Sequence, residues 1–269
     1  MEMEKIFGFI GAGNMGGALA RAARRKLPGN RLRISNRTPE KAEKLAAELG
    51  AKAVGNTEIA EIADFIILAV KPQMMEAVLT EIRPALTFRS TPFVLVSMAA
   101  GLSIERLRKL AEGDWPVLRI MPNTPCAIGE GVILYAAGPG VSAEDQEIFL
   151  DAMSGAGRFV PLAEELFSAG SAVSGCGPAF ADLFLEALAD GGVACGLPRN
   201  VALELAAQML AGSARLMLET GKHPGALKDA VCSPGGTTIQ GVRALERAGF
   251  RSGVIEAVIS AWERDKSLA

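Results

Sequence analysis

The sequence predicts an α/β fold, in which an N-terminal domain with a mainly parallel sheet precedes an all-helical domain. Short β-type runs alternate with helical stretches up to about residue 162, and only helical patterns follow. A glycine-rich segment comes directly after the first predicted strand. The 269 residues suffice for two domains of ordinary size. We expect these domains at residues 1–162 and 163–269.

The elements of the first domain follow from local signals. Continuous apolar runs such as residues 65–70 are typical of strands buried on both faces of a parallel sheet. Thr38 is a favourable N-cap, Pro39 suits the first position of a helix, and Ser103 is a second N-cap. The predicted strands are residues 5–10, 31–35, 51–54, 65–70, 93–97, 116–121 and 131–136. The predicted helices are residues 16–25, 39–49, 73–83 and 104–110.

The second half should consist of helices at residues 178–195, 198–220, 223–231, 237–247 and 250–267. In the first of these helices, Asp182, Glu186 and Asp190 recur every four residues and form one narrow polar stripe. A helix with so little polar surface must be buried nearly all round. In a domain of this size we expect a second subunit to provide that cover.

Composition excludes several classes of function. The net charge is -2 and no block of like charges occurs, so neither nucleic-acid binding nor docking on an anionic membrane is expected. The four cysteines are scattered and there is one histidine, which disfavours a zinc site or a disulfide framework. The start of the chain lacks the basic residues of a signal peptide, and no uninterrupted apolar run approaches the length of a membrane span. We therefore expect a cytoplasmic protein without a metal site.

The apolar content also favours oligomerisation. The mean hydropathy is +0.26 although only 5% of residues are aromatic, so the apolar content is mostly aliphatic. This is a high value for a soluble chain, and it predicts burial beyond what one subunit provides.

The glycine-rich segment Gly11-Ala12-Gly13-Asn14-Met15-Gly16 matches the G-x-G-x-x-G pattern of dinucleotide-binding turns. The first glycine permits a tight turn, the second lets a pyrophosphate approach the backbone, and the third lets the helix pack on the strand. The order of strand, motif, helix and second strand predicts a Rossmann-like nucleotide site. A glycine-rich turn without a ligand is the alternative.

The end of the second strand indicates which cofactor binds. An NAD enzyme usually places an acidic residue there, whereas this chain has Ser35, Asn36, Arg37 and Thr38. Arg37 and Ser35 can bind a 2′-phosphate, which a carboxylate would repel. We therefore expect NADP(H), with NAD(H) as a second cofactor that the site accepts. A solvated surface role for Arg37 is the alternative.

Three more strand ends should face the ligand, because parallel strands present their carboxyl ends at one edge of the sheet. The small residues after the fifth strand leave room for a flat ring, and Lys71 could help to hold an anion. The candidate cofactor-binding residues here are Asn56, Ala69, Val70, Lys71, Pro72, Met98, Ala99 and Ala100. Each of these segments could also be an ordinary turn.

A second glycine-rich turn, Ser233-Pro234-Gly235-Gly236-Thr237-Thr238, lies between two predicted helices. Its glycines let the backbone curl, and the amides near Thr237 and Thr238 point out of a helix N-terminus. Such an arrangement binds anions, and its size suits a small carboxylate. An N-cap turn without a ligand is the alternative.

The second half offers no obvious base for the oxidation of an alcohol. Its candidates are His223, Lys222, Lys228 and Lys266, and none lies in the long apolar helices where a buried base would be expected. His223 is typical of a helix start, and Cys232 has no neighbouring histidine to activate it. A substrate with a C=N bond fits better, because a protonated imine is already electrophilic and a hydroxyl suffices to hydrogen-bond its nitrogen.

These residues together resemble the pyrroline-5-carboxylate reductase family over essentially the whole chain. The most specific segment runs from His223-Pro224-Gly225 through Leu227-Lys228-Asp229 to the Ser233–Thr238 turn. The other matching segments are residues 9–15, 69–72, 97–101 and 119–123.

The resemblance implies NAD(P)H-dependent reduction of L-1-pyrroline-5-carboxylate to L-proline, the last step of proline biosynthesis. It also implies a homodimer formed through interlocking helical domains, with decamers as a further assembly. The substrate carboxylate would bind Ser233, Gly235, Gly236, Thr237 and Thr238, and Thr238 would hydrogen-bond the ring nitrogen as the catalytic residue. Hydride would pass from nicotinamide C4 to ring carbon C5, and proximity in the dimer cleft would supply much of the rate.

Two alternatives remain open on the sequence. An NADP-dependent hydroxyacid dehydrogenase of similar architecture would need a buried lysine in the helical domain. A non-catalytic NADP-sensing protein would not need an intact substrate turn.

Overall fold

The computed structural model describes residues 5–267, which fold into two compact units. Of these residues, the first unit comprises 5–175 together with 262–267, and the second comprises Cys176–Ala261. The contacts within the chain thus divide it after Gly175, later than residue 162. The domain boundary at residues 162 and 163 stays a prediction.

The first unit contains an eight-stranded sheet. Its strands are β1 (Phe7–Ile10), β2 (Leu32–Ser35), β3 (Lys52–Ala53), β4 (Phe65–Leu68), β5 (Val94–Ser97), β6 (Val117–Met121), β7 (Gly131–Ala137) and β8 (Gly157–Pro161). The strand order is β3-β2-β1-β4-β5-β6-β7-β8. Among the described strands all neighbours are parallel except β6 and β7. The strand order reverses between β1 and β4, and ligands of such sheets bind at this reversal.

Helices cover both faces of the sheet. They are α1 (Asn14–Arg24), α2 (Pro39–Leu49), α3 (Asn56–Ile62), α4 (Pro72–Phe88), α5 (Ile104–Ala111), α6 (Ala143–Met153) and α7 (Phe167–Ser174). Alternate strand residues enter two separate cores: Phe7 and Phe9 pack with α1 and α2, whereas Ile10 packs with α3, α4 and α5. The predicted fold class is therefore confirmed.

Local signals placed some elements and missed others. Ser103 caps α5 by accepting a hydrogen bond from the Arg106 amide, as predicted. Thr38 occupies the N-cap position of α2, but its side chain makes no capping hydrogen bond. The prediction omitted α3, α6, α7 and β8. Of these, α6 carries a readable signal, a capping box between Ser142 and Asp145.

The Arg119–Asn123 segment joins α7 to the sheet. Arg119 Nη1 lies 2.8 Å from Glu164 Oε1, and its guanidinium lies 4.6 Å from the centre of the Phe167 ring. The buried Asn123 donates to the Ser174 carbonyl and accepts from the Val132 amide, both at 2.9 Å. These contacts explain why the first unit extends to Gly175.

The second unit consists of α8 (Gly177–Ala194), α9 (Arg199–Thr220), α10 (Pro224–Ala230), α11 (Thr237–Arg247) and most of α12 (Phe250–Lys266). Small residues such as Ala189 and Ala202 are buried where α8 packs on α9. Many large apolar side chains remain exposed, including Leu183 at 68% and Leu205 at 55%. The predicted excess of apolar surface is therefore present in the single chain.

Two helical stretches, Glu164–Ala194 and Arg199–Thr220, are long and apolar enough to cross a membrane, with mean hydropathies of 1.2 and 1.3. The sequence argument considered only uninterrupted apolar runs and did not find them. Length and composition are weak criteria by themselves, since core helices of soluble proteins also meet them.

Candidate active site

The glycine loop lies where β1 meets β4. Gly11 has a φ of +115°, which only glycine adopts readily, and a Cβ on it would clash with the carbonyl of Ala69. Gly16, in the first turn of α1, would clash with the Gly11 carbonyl if it had a Cβ. The first and third glycines therefore allow β1, β4 and α1 to pack in direct backbone contact.

Gly13 has a different role. It is the N-cap of α1, has an ordinary φ of -75°, and a Cβ on it would meet nothing within 4 Å. No side chain caps α1, so the amides of its first turn are open to a ligand. Exposed amides at a helix N-terminus, with no Cβ above them, form a cradle that fits a pyrophosphate. Asn14 is exposed beside it, and Met15 is half-buried.

The end of β2 lies next to this loop. The Ala12 amide donates to Asn36 Oδ1 at 3.0 Å, and Asn36 Nδ2 donates to the Thr38 carbonyl at 3.1 Å. Asn36 thus joins the glycine loop to the turn that precedes α2. The sequence analysis assigned it no role, because a hydrogen bond across 24 residues leaves no local signal.

Arg37 is exposed and makes no hydrogen bond or ion pair with any other residue that the structure describes. A guanidinium just after the end of β2, without a partner among the described residues, is available to a phosphate. The role of Arg37 at the 2′-phosphate stays a prediction.

A chain of side-chain hydrogen bonds starts at Ser35. The Ser35 hydroxyl donates to Asn56 Oδ1 at 2.6 Å, and Asn56 Nδ2 donates to Glu81 Oε2 at 2.8 Å. Ser35 is 5% exposed, Asn56 is half-buried at the first position of α3, and Glu81 is exposed on α4. The structure thus brings two predicted site residues together and adds Glu81, which the sequence analysis did not consider.

The remaining predicted cofactor residues lie at the ends of β4 and β5. Ala69 and Met98 are half-buried against the same core as Ala12, and Ala99 is buried. Val70 and Pro72 are half-buried, whereas Ala100 and Lys71 are exposed. Lys71 is the N-cap residue of α4, and its side chain makes no capping bond. The small residues Ala99 and Ala100 follow β5, where the sequence analysis expected room for a flat ring.

The predicted substrate turn lies in the second unit. The Gly236 amide donates to the Ser233 carbonyl at 3.0 Å, and Gly235 has a φ of +70°. Gly236 is the N-cap of α11 without a side-chain cap, and a Cβ on it would clash with Ser233 Oγ. Thr237 and Thr238 open α11 and are exposed. The turn therefore presents free amides and hydroxyls together at the N-terminus of an 11-residue helix.

No lysine of the described second half is buried. Lys222 is exposed, Lys266 lies over the Trp262 ring, and Lys228 donates to the Asp229 carboxylate. The hydrogen bond to Asp229 raises the pKa of Lys228, which is the opposite of what a general base requires. His223 caps α10 through Nδ1, which accepts from the Gly225 amide. Its role as a helix start is confirmed.

A cavity of about 1160 Å³ in the first unit lies away from the glycine loop, between α5 and the ends of β7 and β8. Among the carboxylates lining it, Glu105 pairs with Lys109, Asp114 with Arg108 and Glu164 with Arg119. These ion pairs neutralise the three carboxylates, although the buried Nε of Arg108 has no hydrogen-bond partner among the described residues. Its position at the opposite edge of the sheet separates it from the predicted nucleotide site.

The fold and the glycine loop define a nucleotide-binding oxidoreductase, and two family models match its two parts. Residues 6–101 match the model described as NADP oxidoreductase, coenzyme F420-dependent. Residues 164–268 match the model described as pyrroline-5-carboxylate reductase dimerisation.

Relatives over the full length identify the family. The chain is 42% identical to the pyrroline-5-carboxylate reductase of Escherichia coli strain K12, over 99% of both chains. The structure of a pyrroline-5-carboxylate reductase from Coxiella burnetii has a TM-score of 0.91 at 30% identity, over 98% of both chains. The Plasmodium falciparum pyrroline carboxylate reductase with NADP bound has a TM-score of 0.87 at 31% identity, also over 98% of both. The chain belongs to the pyrroline-5-carboxylate reductase family, as the sequence motifs predicted.

Replacing Gly13 by Ala should weaken cofactor binding without weakening the fold. The added methyl meets no protein atom, but it enters the space that a pyrophosphate would occupy. We expect the dissociation constant for NADPH to rise roughly tenfold or more, equivalent to about 1.4 kcal/mol. Calorimetric titration measures the affinity, and Gly212→Ala, at another open glycine, is the control. Unchanged NADPH affinity in Gly13→Ala would contradict this role for the loop.

Arg37→Ala should weaken NADPH selectively. A charge-assisted hydrogen bond to the 2′-phosphate is worth about 1.5–3 kcal/mol, so NADPH affinity should fall about 10- to 150-fold. NADH has no phosphate at this position, and its affinity should change little. Titrating both cofactors into the variant tests the assignment. An equal loss of affinity for NADPH and NADH would overturn it.

Proposed function

We propose that this protein reduces the C=N bond of L-1-pyrroline-5-carboxylate and forms L-proline, with NADPH as the electron donor. The observation that carries the proposal is the intact turn of residues 233–238 at the start of α11, with free amides and exposed threonine hydroxyls. The same chain also carries a dinucleotide loop, so it has both an anion site for the substrate and a site for a hydride donor. Family membership over the full length supports the same reaction.

The cofactor is assigned to the first unit. The amides of α1 and the open face of Gly13 would hold the pyrophosphate, and Arg37 the 2′-phosphate. Asn56 and Ser35 would contact the adjacent ribose, and Lys71 would provide a further cation. The small residues Ala99 and Ala100 leave space for the nicotinamide ring. When bound, NADPH supplies the hydride.

The substrate is assigned to the turn in the second unit. The amides of Thr237 and Thr238 would hold the carboxylate, and the helix dipole favours a negative charge there by about 0.3–1 kcal/mol. Ser233, Gly235 and Gly236 shape the turn around it. The two glycines keep side chains out of the space above these amides.

Thr238 is proposed to orient the imine and relay its proton. The hydride bonds to ring carbon C5, the π electrons of the C=N bond pass to nitrogen, and nitrogen keeps or gains one proton. A threonine hydroxyl is too weak an acid to deliver a proton alone at neutral pH. A hydrogen bond between the Thr238 hydroxyl and the ring nitrogen, donated by the N–H when the imine is protonated, would hold the ring in line for the hydride.

The surroundings of the lysines weigh against a hydroxyacid dehydrogenase. That reaction needs a base to remove a hydroxyl proton, and the described lysines of the second half are exposed, paired or stacked on an aromatic ring. A non-catalytic NADP sensor would not need the substrate-binding turn. Imine reduction uses both features of the chain.

The protein is further proposed to act in the cytoplasm as a homodimer formed through its helical domain. The exposed leucines of α8 and α9 and the match to a dimerisation model support this assembly. The carboxylates of Asp182, Glu186 and Asp190 disfavour a membrane, because a charge at the centre of a span costs about 2.5–3.5 kcal/mol on insertion scales. The resemblance also predicts assembly of dimers into decamers, which sedimentation of the wild type would measure.

The reaction is tested by the decay of NADPH absorbance on addition of pyrroline-5-carboxylate. We expect NADPH loss matched by proline formation, and no reduction of NADP⁺ by 3-hydroxy acids. NADP⁺ reduction by a hydroxy acid would favour the dehydrogenase. NADPH binding without turnover of either substrate class would favour the sensor.

Thr238→Ala should lower kcat/KM for pyrroline-5-carboxylate by about 10- to 10³-fold, the range for one hydrogen bond that strengthens in the transition state. NADPH affinity and oligomer mass should stay at wild-type values. Thr238→Ser is the matched control and should keep much of the activity, because the hydroxyl survives. Steady-state kinetics measures the effect. A Thr238→Ala variant as active as the wild type would contradict the proposed role of Thr238.

Leu188→Asp should disrupt the assembly. Leu188 is 37% exposed on α8, on the side opposite the carboxylate stripe, where a partner subunit would bury it. Burial of an unpaired carboxylate costs several kcal/mol. Sedimentation should show dissociation or aggregation, whereas Glu186→Gln, on the polar stripe, should sediment as the wild type. A soluble Leu188→Asp variant of unchanged mass would refute the interface.

A further inference from the structure

We propose that Glu81 is a positioning residue that lowers the preference for NADPH over NADH by fixing the direction of a hydrogen-bond chain. The chain runs from Ser35 at the end of β2, through Asn56 at the start of α3, to Glu81 on α4. The proposal rests on the proposed nucleotide site. It concerns which cofactor that site prefers.

The carboxylate at one end decides the direction of every bond. A carboxylate only accepts hydrogen bonds, so Glu81 requires the amino group of Asn56, at 2.8 Å. The amide oxygen of Asn56 must then point the other way, to Ser35. An amide oxygen also only accepts, so the Ser35 hydroxyl must donate its single proton to it, at 2.6 Å.

The direction of this bond determines what the Ser35 hydroxyl can offer to a cofactor. Its proton is used by Asn56, and only lone pairs remain to meet a cofactor. A ribose 2′-hydroxyl can donate to these lone pairs. A 2′-phosphate is mostly doubly ionised at neutral pH, so it has few protons to donate. It therefore gains nothing from a hydrogen-bond acceptor. In this state Ser35 favours the hydroxyl of NADH rather than the 2′-phosphate expected from the sequence, and Arg37 favours the phosphate of NADPH.

Removal of the Glu81 carboxylate should reverse this arrangement. Without an acceptor on α4, the Asn56 amide is free to turn over and donate its amino group to Ser35 Oγ. The serine proton then becomes available to the 2′-phosphate. Because Glu81 is exposed and no other described residue bonds its carboxylate, its replacement leaves the cores untouched.

The test is direct titration of NADPH and NADH into Glu81→Ala in the absence of substrate. The ratio of NADPH affinity to NADH affinity should rise by at least about 3- to 10-fold, the effect of one hydrogen bond. Glu76→Gln removes a carboxylate from the same helix at an exposed position and should leave the ratio unchanged. The melting temperatures of both apo variants should match the wild type.

A double variant separates the hydrogen bond from the loss of charge. In a Ser35→Ala background, Glu81→Ala should no longer change the ratio, since the hydroxyl through which Glu81 acts is gone. An unchanged ratio in the single variant would overturn the proposal. An equal rise in both backgrounds would also overturn it and would assign the effect to charge alone. Failure of the wild type to bind either cofactor would refute the proposed function instead.

Discussion

The architecture of the nucleotide site depends on one packing constraint, the close approach of three backbone segments where β1 meets β4. Side chains at Gly11 or Gly16 would force the end of β1, the end of β4 and the first turn of α1 apart. Because they are absent, α1 begins directly at the carboxyl edge of the sheet and presents its amides there. The hydrogen bond from Ala12 to Asn36 then brings the β2 turn, and with it Arg37, to the same edge.

The anion site of the second unit also depends on free backbone amides at a helix N-terminus. Glycines again precede this helix, but the described helices of this unit bury no basic side chain. The lack of a buried base among the described residues suits an imine substrate, because an imine needs orientation more than proton abstraction. The exposed leucines of α8 and α9 fit the proposed dimer, because positions that face a second subunit need not be polar.

Sequence patterns predicted several features that are encoded locally. The glycine motif, the Ser103 cap and the apolar strand predicted at residues 65–70 each depend on neighbours within a few residues, and the structure has all three, with the strand at Phe65–Leu68. Helix α3 was missed because seven residues carry too little periodicity, and β8 because Arg158 and Pro161 are poor strand residues. The roles of Asn36 and Glu81 arise from contacts across more than twenty residues, which no local pattern encodes.

The proposed reaction requires that a hydride pass from the nicotinamide to the imine carbon of the substrate. The most direct measurement follows deuterium from NADPH labelled at nicotinamide C4 into the product, by nuclear magnetic resonance of the isolated proline. We predict one deuterium at C5 of proline, at a single stereochemical position, when the label is on the transferred side of the nicotinamide ring. Deuterium at any other carbon, or unlabelled proline from both labelled epimers of NADPH, would contradict the account.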